Sequence, residues 1–585
     1  MSVVKWKKRE HTAATAGEYA AEMFKDFNNG RENSDYYQIE DMAKAFNLLS
    51  LFKNRPVRII GDYDTDGMSS IININLTLKD LDFTDVRWYI PDRELDGYGA
   101  SPDIVEHLCN NKPIHNKEAV KTDGTGLLIT IDNGIAAIDA MKKAKELGWN
   151  ILIFDHHLAR TDDNGSKILP EADVIIDPHA VDCGATFSDY CGAGLVYKLA
   201  QYIRKVNIPD WKITDETFAK ITGMAAIATI GDSVNLIEKA NGMYGYDNYL
   251  IVKNGLFQLT QNAGRTTGMY CLLVGSNPKY NIVITAEDVG YNISPIMNAT
   301  SRLCEYGSDK VVDLFLQDDG DFVTAAAKAK ELVETNQLRK QYTDQLIPIL
   351  KERIEATHME NDYPLVVCSK PDEIHPGVIG LVAGKLQEEY HTAVIVFAPT
   401  GDGTIFKGSA RAPETTDNSI NIKELLDKTS GYLIRYGGHP SAAGISGIKA
   451  ENIKPFTEAI QKAAGDKPEN LFYKYYDFEI DSKDTEKEYE IIKQYAPWGC
   501  GFKEPIYKVS FETELNKGVY YQFLGAEKKV LKLIGHGVNA INFGGLVEKY
   551  TELGTPTIVT LYGRAGENCF NGNVTPQITF EDIDI

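Results

Sequence analysis

This sequence contains no apolar run approaching the ~20 residues that cross a bilayer, so a spanning helix is not expected. Its eight cysteines (Cys109, Cys183, Cys191, Cys271, Cys304, Cys368, Cys500 and Cys569) are scattered and form no CxxC pair. That spacing argues against a zinc knuckle and against a disulfide framework. The early basic residues of MSVVKWKKREHTAATAGEYAAEMF are not followed by an apolar stretch, so no cleaved signal peptide is expected and the chain reads as cytoplasmic. Excess positive charge is also lacking, since the net formal charge is −22. This is mild evidence against tight duplex binding, although a phosphate-tracking groove needs only a local basic lining. Internal repeats and low-complexity tracts are absent.

What is present points to several globular domains. The 585 residues are 43% hydrophobic and 25% charged, enough for three or four cores at roughly 150 residues each. Residues 1–50 read as a helical segment, with Ala20, Met23, Phe24 and Phe27 at helical spacing. Residues 51–318 begin with strands and helices in alternation (VRII, VRWYIP, LLITI, ILIFD, DVIID) and then turn mainly helical. Residues 319–358 hold a long charged helical stretch, in which Pro348 predicts a kink or a break. A second α/β unit occupies residues 359–466. From 467 to 585 short aromatic and β-branched runs predict a small closed or partly open β-barrel.

Three apolar strands run straight into acidic or histidine side chains: VRIIGDYDTD (Val57–Asp66), GLLITID (Gly126–Asp132) and NILIFDHH (Asn150–His157). Ligands of parallel α/β sheets bind outside the carboxyl ends of the strands, and these ends deliver carboxylates and imidazoles to one edge. A calcium loop is the competing explanation of Asp62, Asp64 and Asp66. It needs a glutamate at its twelfth position, which here is Asn73, and a helix before it rather than a strand. Asp155, His156 and His157 end the third strand, where one imidazole can ligate a metal while its neighbour points at a substrate. Asp232 closes the apolar run GMAAIATIGD, where a buried acid would need a partner or a metal. Four to six carboxylates with one imidazole suit Mn²⁺ or Mg²⁺ better than structural zinc. Two such ions activate a water and stabilise a leaving oxygen, so hydrolysis of a phosphate ester or anhydride is the expected reaction.

The set GDYDTDG, TIDNG, DHH and IGD resembles, in order and spacing, the four motifs of the DHH phosphoesterases. Further segments are similar to the RecJ-type exonucleases. They are Pro91-Asp92-Arg93 with Gly97-Tyr98-Gly99, Tyr190-Cys191-Gly192-Ala193-Gly194, Pro295 to Arg302 around Asn298, HPGVIG from His375, KGSAR ending at Arg411, Gly437-Gly438-His439, and APWG from Ala496. The resemblance implies an α/β fold with a parallel-sheet DHH core, a long connecting helix, a DHH-associated α/β domain and a C-terminal OB-type barrel. It implies 5′ to 3′ degradation of single-stranded DNA to 5′-mononucleotides, with Mn²⁺ or Mg²⁺, in DNA recombination and repair. The implied metal ligands are Asp64, Asp66, Asp132, His156 and Asp232, while Asp62 either ligates an ion or orients a ligand. Asp155 is implied to fix a histidine and His157 to face the scissile phosphate. Arg93, Asn298, Arg302, Arg411, Gly437, Gly438 and His439 are the implied substrate contacts. The implied partners are single-stranded DNA and either a single-strand binding protein or a helicase; no membrane is implied, and the enzyme is expected to be a monomer.

The chain departs from the family pattern at Ile296, where Arg is usual, at Ser301, where Gly is usual, and at Ile374, where Trp is common. In the barrel, Tyr473, Tyr475, Tyr476, Tyr520, Tyr521, Phe523 and Phe543 are candidates for stacking on bases, with at least half of them expected in the core. The alternatives are a DHH phosphodiesterase of short oligoribonucleotides or cyclic dinucleotides, a DHH-type pyrophosphatase, and a non-catalytic replication scaffold of the same fold. The first is expected to be shorter and to lack the long helix and terminal barrel, the second is disfavoured by an architecture sized for oligonucleotides, and the third is expected to have lost metal ligands that this chain retains.

Overall fold

The computed structural model describes residues 5–27, 41–162, 164–185, 187–240, 243–261, 264–276, 283–371, 373, 375–413, 420–468, 473–515, 519–525, 527–570 and 573–585. Ile374 and residues 28–40 of the expected helical segment lie outside them.

The first lobe is built on a five-stranded parallel sheet in the order Val86–Tyr89, Val57–Ile60, Leu127–Ile131, Asn150–Phe154, Val174–Ile176. Val57–Ile60 and Leu127–Ile131 are buried throughout, which explains their near-continuous apolar sequences. Helices cover the sheet and carry much of the core with it, among them Thr65–Asp80, Gly192–Val206 and Asp215–Gly231. The region from Gly192 to Leu316 is mainly helical, as expected, with one short hairpin at Glu238–Ala240 and Met243–Gly245.

One helix, Phe322–Ala356, joins the lobes. Ala325, Ala329 and Leu332 belong to the first lobe's core, whereas Leu346, Leu350 and Ile354 belong to the second's. Each of those last three fully buried side chains contributes ~2 kcal/mol of apolar burial. Pro348 lies inside the helix rather than ending it. Packing of its neighbours Leu346 and Leu350 on the second lobe offsets the hydrogen bond that proline removes.

The second lobe holds a mixed sheet in the order Leu365–Cys368, Val394–Thr400, Ile405–Arg411, Ala442–Lys449, Leu433–Gly438. The C-terminal domain is a seven-stranded sheet ordered Phe478–Asp481, Tyr507–Glu512, Ile558–Phe570, Asn573–Asp584, Asn539–Asn542, Val530–Ile534, Tyr521–Leu524. A bridge from Thr513 to Gly535 curls it toward a barrel. Phe511, Leu533, Leu561 and Phe580 fill the interior. Of the aromatic candidates, Tyr476 is buried, Tyr521 and Phe523 pack on that core, and Phe543 stands 66% exposed.

The amino-terminal segment departs from the all-helical expectation. Lys5–Lys8 is a strand paired in parallel with Tyr473–Tyr476. Trp6 stacks on Tyr562 at 4.4 Å and donates to Asp582 at 2.8 Å. The helix Ala16–Met23 follows, and Phe24 packs against Tyr246 and Tyr249 of the first lobe and against Tyr495 and Phe502. The polar sequence KWKK carries no periodic signal for this strand, because its partner lies more than 460 residues away.

Candidate metal centre

The acidic residues converge at the carboxyl edge of the parallel sheet. Asp64 caps the Thr65–Asp80 helix, accepting from the backbone N–H groups of Asp66 at 2.9 Å and Gly67 at 3.1 Å. A Cβ on Gly67 would lie 2.3 Å from the Asp62 carbonyl oxygen, so this tight loop requires glycine. Asp66 accepts from Gly192 N–H at 2.6 Å and Ala193 N–H at 2.9 Å, at the start of another helix. Asp132 ends its strand with φ of 61°, a left-handed conformation that is uncommon for aspartate and is found preferentially at functional sites. Asp232 caps the carboxyl end of Asp215–Gly231, where the helix dipole disfavours a carboxylate and favours a cation.

These groups form three overlapping sets: Asp62, Asp64 and Asp132; Asp66, His156 and Asp232; and Asp132, His156 and His157. His156 Nε2 lies 3.1 Å from Asp132, 3.7 Å from Asp232 and 3.8 Å from Asp66. Burial first, and then the neighbouring carboxylates, holds Asp62, Asp64, Asp132 and Asp232 above the ordinary carboxylate range. Among the described residues none of the five acids has a Lys or Arg ion pair, and Asp62 Oδ1 is a buried oxygen with no hydrogen-bond partner. An oxygen-rich donor set, partly orphaned and destabilised by its own charge, fits one or two hard divalent cations.

Asp155 is fully buried behind the site. Its Oδ1 accepts from the backbone N–H of His156 at 2.8 Å and from His157 Nδ1 at 2.8 Å, and its Oδ2 accepts from Ile135 N–H at 2.9 Å. Burial raises this carboxyl, but the His157 hydrogen bond and charge outweigh it and hold it low. Burial lowers His157 in turn, yet Asp155 outweighs that and raises the imidazole to about 9. Burial and the neighbouring His157 push His156 down to about 4, which keeps it neutral and able to ligate. Tyr98, named at the sequence level only as part of GYG, belongs to the site: its hydroxyl lies 3.2 Å from His157 Nε2 and donates to the Asp132 carbonyl at 3.3 Å.

Beside the acids is a cluster of guanidinium groups from both lobes. Arg302, on the helix Ser294–Leu303, is pushed down to about 10 by burial, then by Arg93, Arg339 and Arg411. Burial and Arg93 lower Arg411, whose Nη1 donates to Ser409 Oγ at 2.9 Å and the Ala410 carbonyl at 2.8 Å. Arg93 lies over the Tyr63 ring at 5.4 Å. None of the four has an ion-pair partner among the described residues. The lobes meet tightly here, since a Cβ on Gly377 would lie 2.0 Å from the Arg302 carbonyl oxygen. A Lys407–Glu94 ion pair also crosses between them. Arg339 was not legible as a site residue, because it sits in a charged helix where one more cation reads as solvated. Asn298 Oδ1 is buried without a partner nearby on the Arg302 helix. Gly437 and Gly438 end the strand Leu433–Gly438 and are exposed, as is His439 just after it, whose N–H donates to Ala442; among the described residues no hydrogen bond ties them to either cluster. Ile296 is buried at 3% exposure, so this departure from the family pattern serves the core.

A fold of this kind with this donor set defines a DHH-type phosphoesterase. Residues 56–229 match the model of the DHH family, N-terminal domain, residues 362–466 the DHHA1 domain, and residues 476–582 the RecJ OB domain. The chain belongs to the RecJ family. It is 27% identical over 568 residues to the single-stranded-DNA-specific exonuclease RecJ of Haemophilus influenzae, covering 94% of this chain and 91% of that protein. It also superimposes on the crystal structure of RecJ in complex with Mn²⁺ from Thermus thermophilus, with a TM-score of 0.70 at 23% identity, over 94% of this chain and 71% of that one. The Mg²⁺ complex of the same protein gives a TM-score of 0.64 at 21% identity, over 94% and 70%. These two likenesses establish the fold. Among the described residues no helix is long and apolar enough to cross a membrane.

Proposed function

We propose that this chain is a Mn²⁺- or Mg²⁺-dependent exonuclease that hydrolyses single-stranded DNA from the 5′ end to 5′-mononucleotides, in DNA recombination and repair. The carrying observation is the pair of donor sets, Asp62/Asp64/Asp132 and Asp66/His156/Asp232, adjoining an unpaired arginine cluster. One side suits cations and the other suits phosphates, and a phosphodiester needs both. Asp62, Asp64, Asp66, Asp132, His156 and Asp232 would hold two ions, which when bound supply an activated water and positive charge against the phosphate. Asp155 holds His157 protonated and aimed past Tyr98, so His157 donates a hydrogen bond to phosphoryl oxygens as negative charge builds. Arg93, Arg302, Arg339 and Arg411 grip phosphate, with Asn298 beside them; Gly437, Gly438 and His439 are assigned to the strand farther from the reacting phosphate. Five domains at 1–50, 51–318, 319–358, 359–466 and 467–585, a cytoplasmic monomer, and recruitment by a single-strand binding protein or helicase complete the proposal on the strength of family resemblance.

The test uses one long single strand labelled at either end. Mononucleotide released from the 5′ end alone, and lost in EDTA and in Asp132→Ala, is the expected result. Inert long strands with hydrolysis of dinucleotides would instead assign the site to short oligonucleotides.

A further inference from the structure

Away from the metal centre, one surface stands out against the acidic chain. The parallel ribbon formed by Lys5–Lys8 and Tyr473–Tyr476 pairs Lys5 with Tyr473, Trp6 with Lys474, Lys7 with Tyr475 and Lys8 with Tyr476. Alternation along the strands puts Trp6 and Tyr476 on the face that packs on the barrel, where both lie against Tyr562. The opposite face carries Lys5, Lys7, Tyr473 and Tyr475. Lys5 and Lys7 are exposed, and among the described residues neither has a carboxylate partner. The Lys7 ammonium lies 3.3 Å from the centre of the Tyr473 ring, and Arg9 lies over Tyr475 at 5.9 Å while its guanidinium is anchored on Asp477. A protein of net charge −22 has thus collected unpaired cations and half-exposed aromatic rings on one ribbon.

A row of lysines beside a row of flat rings, each at strand spacing, matches a single strand, whose phosphates run along one side and whose bases run along the other. Backbone charge takes the phosphates and ring faces take the bases, without regard to sequence. The Lys7 ammonium on the Tyr473 ring is not an obstacle, because an exposed cation–π contact is weaker than base stacking and the ammonium is free to turn to a phosphate, while Arg9, held by Asp477, stays 5.9 Å from the Tyr475 ring centre. An acidic peptide would satisfy the lysines but leave the two ring faces without a planar partner.

We propose that this ribbon is a second binding surface for single-stranded DNA, with Lys5 and Lys7 on phosphates and Tyr473 and Tyr475 on bases. It rests on the nuclease assignment for the identity of the strand. It adds a grip that the first few nucleotides in the metal centre do not reach, so it acts on long strands and not on short ones.

Fluorescence anisotropy in EDTA, with oligothymidylates of 8 and 40 nucleotides, measures binding apart from cleavage. In Lys5→Glu/Lys7→Glu, affinity for the 40-mer is expected to fall roughly tenfold at low salt. The slope of log affinity against log salt should flatten by about 1.4, two contacts at about 0.7 each for single strands. Binding of the 8-mer and its hydrolysis in Mn²⁺ should be unchanged. Lys5→Arg/Lys7→Arg should restore wild-type values, and Tyr475→Ser should weaken the 40-mer while leaving the salt slope intact. Wild-type binding of the 40-mer by the charge-reversed protein would overturn the ribbon while leaving the nuclease assignment standing. So would polyglutamate displacing the 40-mer as well as unlabelled strand does, since that makes the surface a site for acidic peptides. A wild-type protein that neither binds nor cleaves single strands would overturn both.

Discussion

Among the described residues, the chain gathers carboxylates around Asp132 with no lysine or arginine paired to them, and guanidinium groups around Arg302 with no carboxylate paired to them. Lys198 with Asp247 and Arg58 with Asp85 show the ordinary case, in which a buried charge is matched by its opposite. The difference teaches that neither cluster is built for stability. On the function proposed above, each is half of a charge arrangement that a ligand completes, cations on one side and phosphates on the other. Burial of like charge is destabilising by several kcal/mol per site unless a partner arrives, so a bound ligand of opposite charge would relieve both clusters.

Mutations can break this comparison, beginning with the acids. Asp132→Asn is expected to lower kcat on the order of a thousandfold or more. The same change should raise the melting temperature in EDTA, by relieving repulsion among the buried carboxylates, and abolish the stabilisation that Mn²⁺ gives the wild type. Lower stability in EDTA would mean that Asp132 is held for structure and would end the parallel between the clusters. Arg302→Lys keeps the charge but not the fork, and steady-state kinetics should show KM rising about tenfold to a hundredfold with a smaller change in kcat. Arg339→Ala, the member contributed by the connecting helix, should raise KM by roughly fivefold to tenfold. Asp155→Asn tests whether His157 belongs with the cations. Loss of its partner should cost about 10- to 100-fold in kcat and move the acidic-to-basic fall of the pH–rate profile to lower pH.

The smallest effect sharpens the contrast with a charge cluster that needs no ligand. Glu504 is half-buried between Arg564 and the first lobe, and burial lifts it to about 7 against the pull of Arg564. Its folded value exceeds the unfolded one, so between about pH 4.5 and 7 the folded protein holds more protons. Stability from this group is therefore greatest at low pH and is lost as pH rises through 7. In Glu504→Gln, melting curves should lose that part of the pH dependence, with nuclease activity unchanged.

The acidic half of the site was legible in the sequence because each ligand follows an apolar strand or helix whose burial is itself legible. Asp62, Asp64, Asp66, Asp132 and His156 needed one idea, that strand ends share an edge, and Asp232 needed a second, that an acid closing an apolar helix requires a partner or a metal. The arginines offered no such signal. Arg93 and Arg411 follow unremarkable loop and strand sequences, and family resemblance alone singled them out. Arg339 was passed over, hidden among the charges of a helix, and Tyr98 was named only within the GYG segment of the family resemblance, with no role of its own. The connecting helix was visible from its composition, but the passage of Pro348 without a break was not, since packing on the second lobe decides it. Pairing of Lys5–Lys8 with Tyr473–Tyr476 left no trace at all, because neither strand has an apolar face of its own to reveal.

That pairing bears on the order in which the molecule can be made. Trp6 and Asp582 touch across 576 residues of sequence. During synthesis at roughly 5–20 residues per second, the segment that emerges first waits on the order of a minute for the barrel that receives it. Until then both lobes can fold around their own sheets and Phe24 can meet Tyr246 and Tyr249 of the first lobe, while Trp6 has nothing to close on. The Lys5–Lys8 strand is thus translated long before it can be fastened, and its docking reports that the barrel has been made.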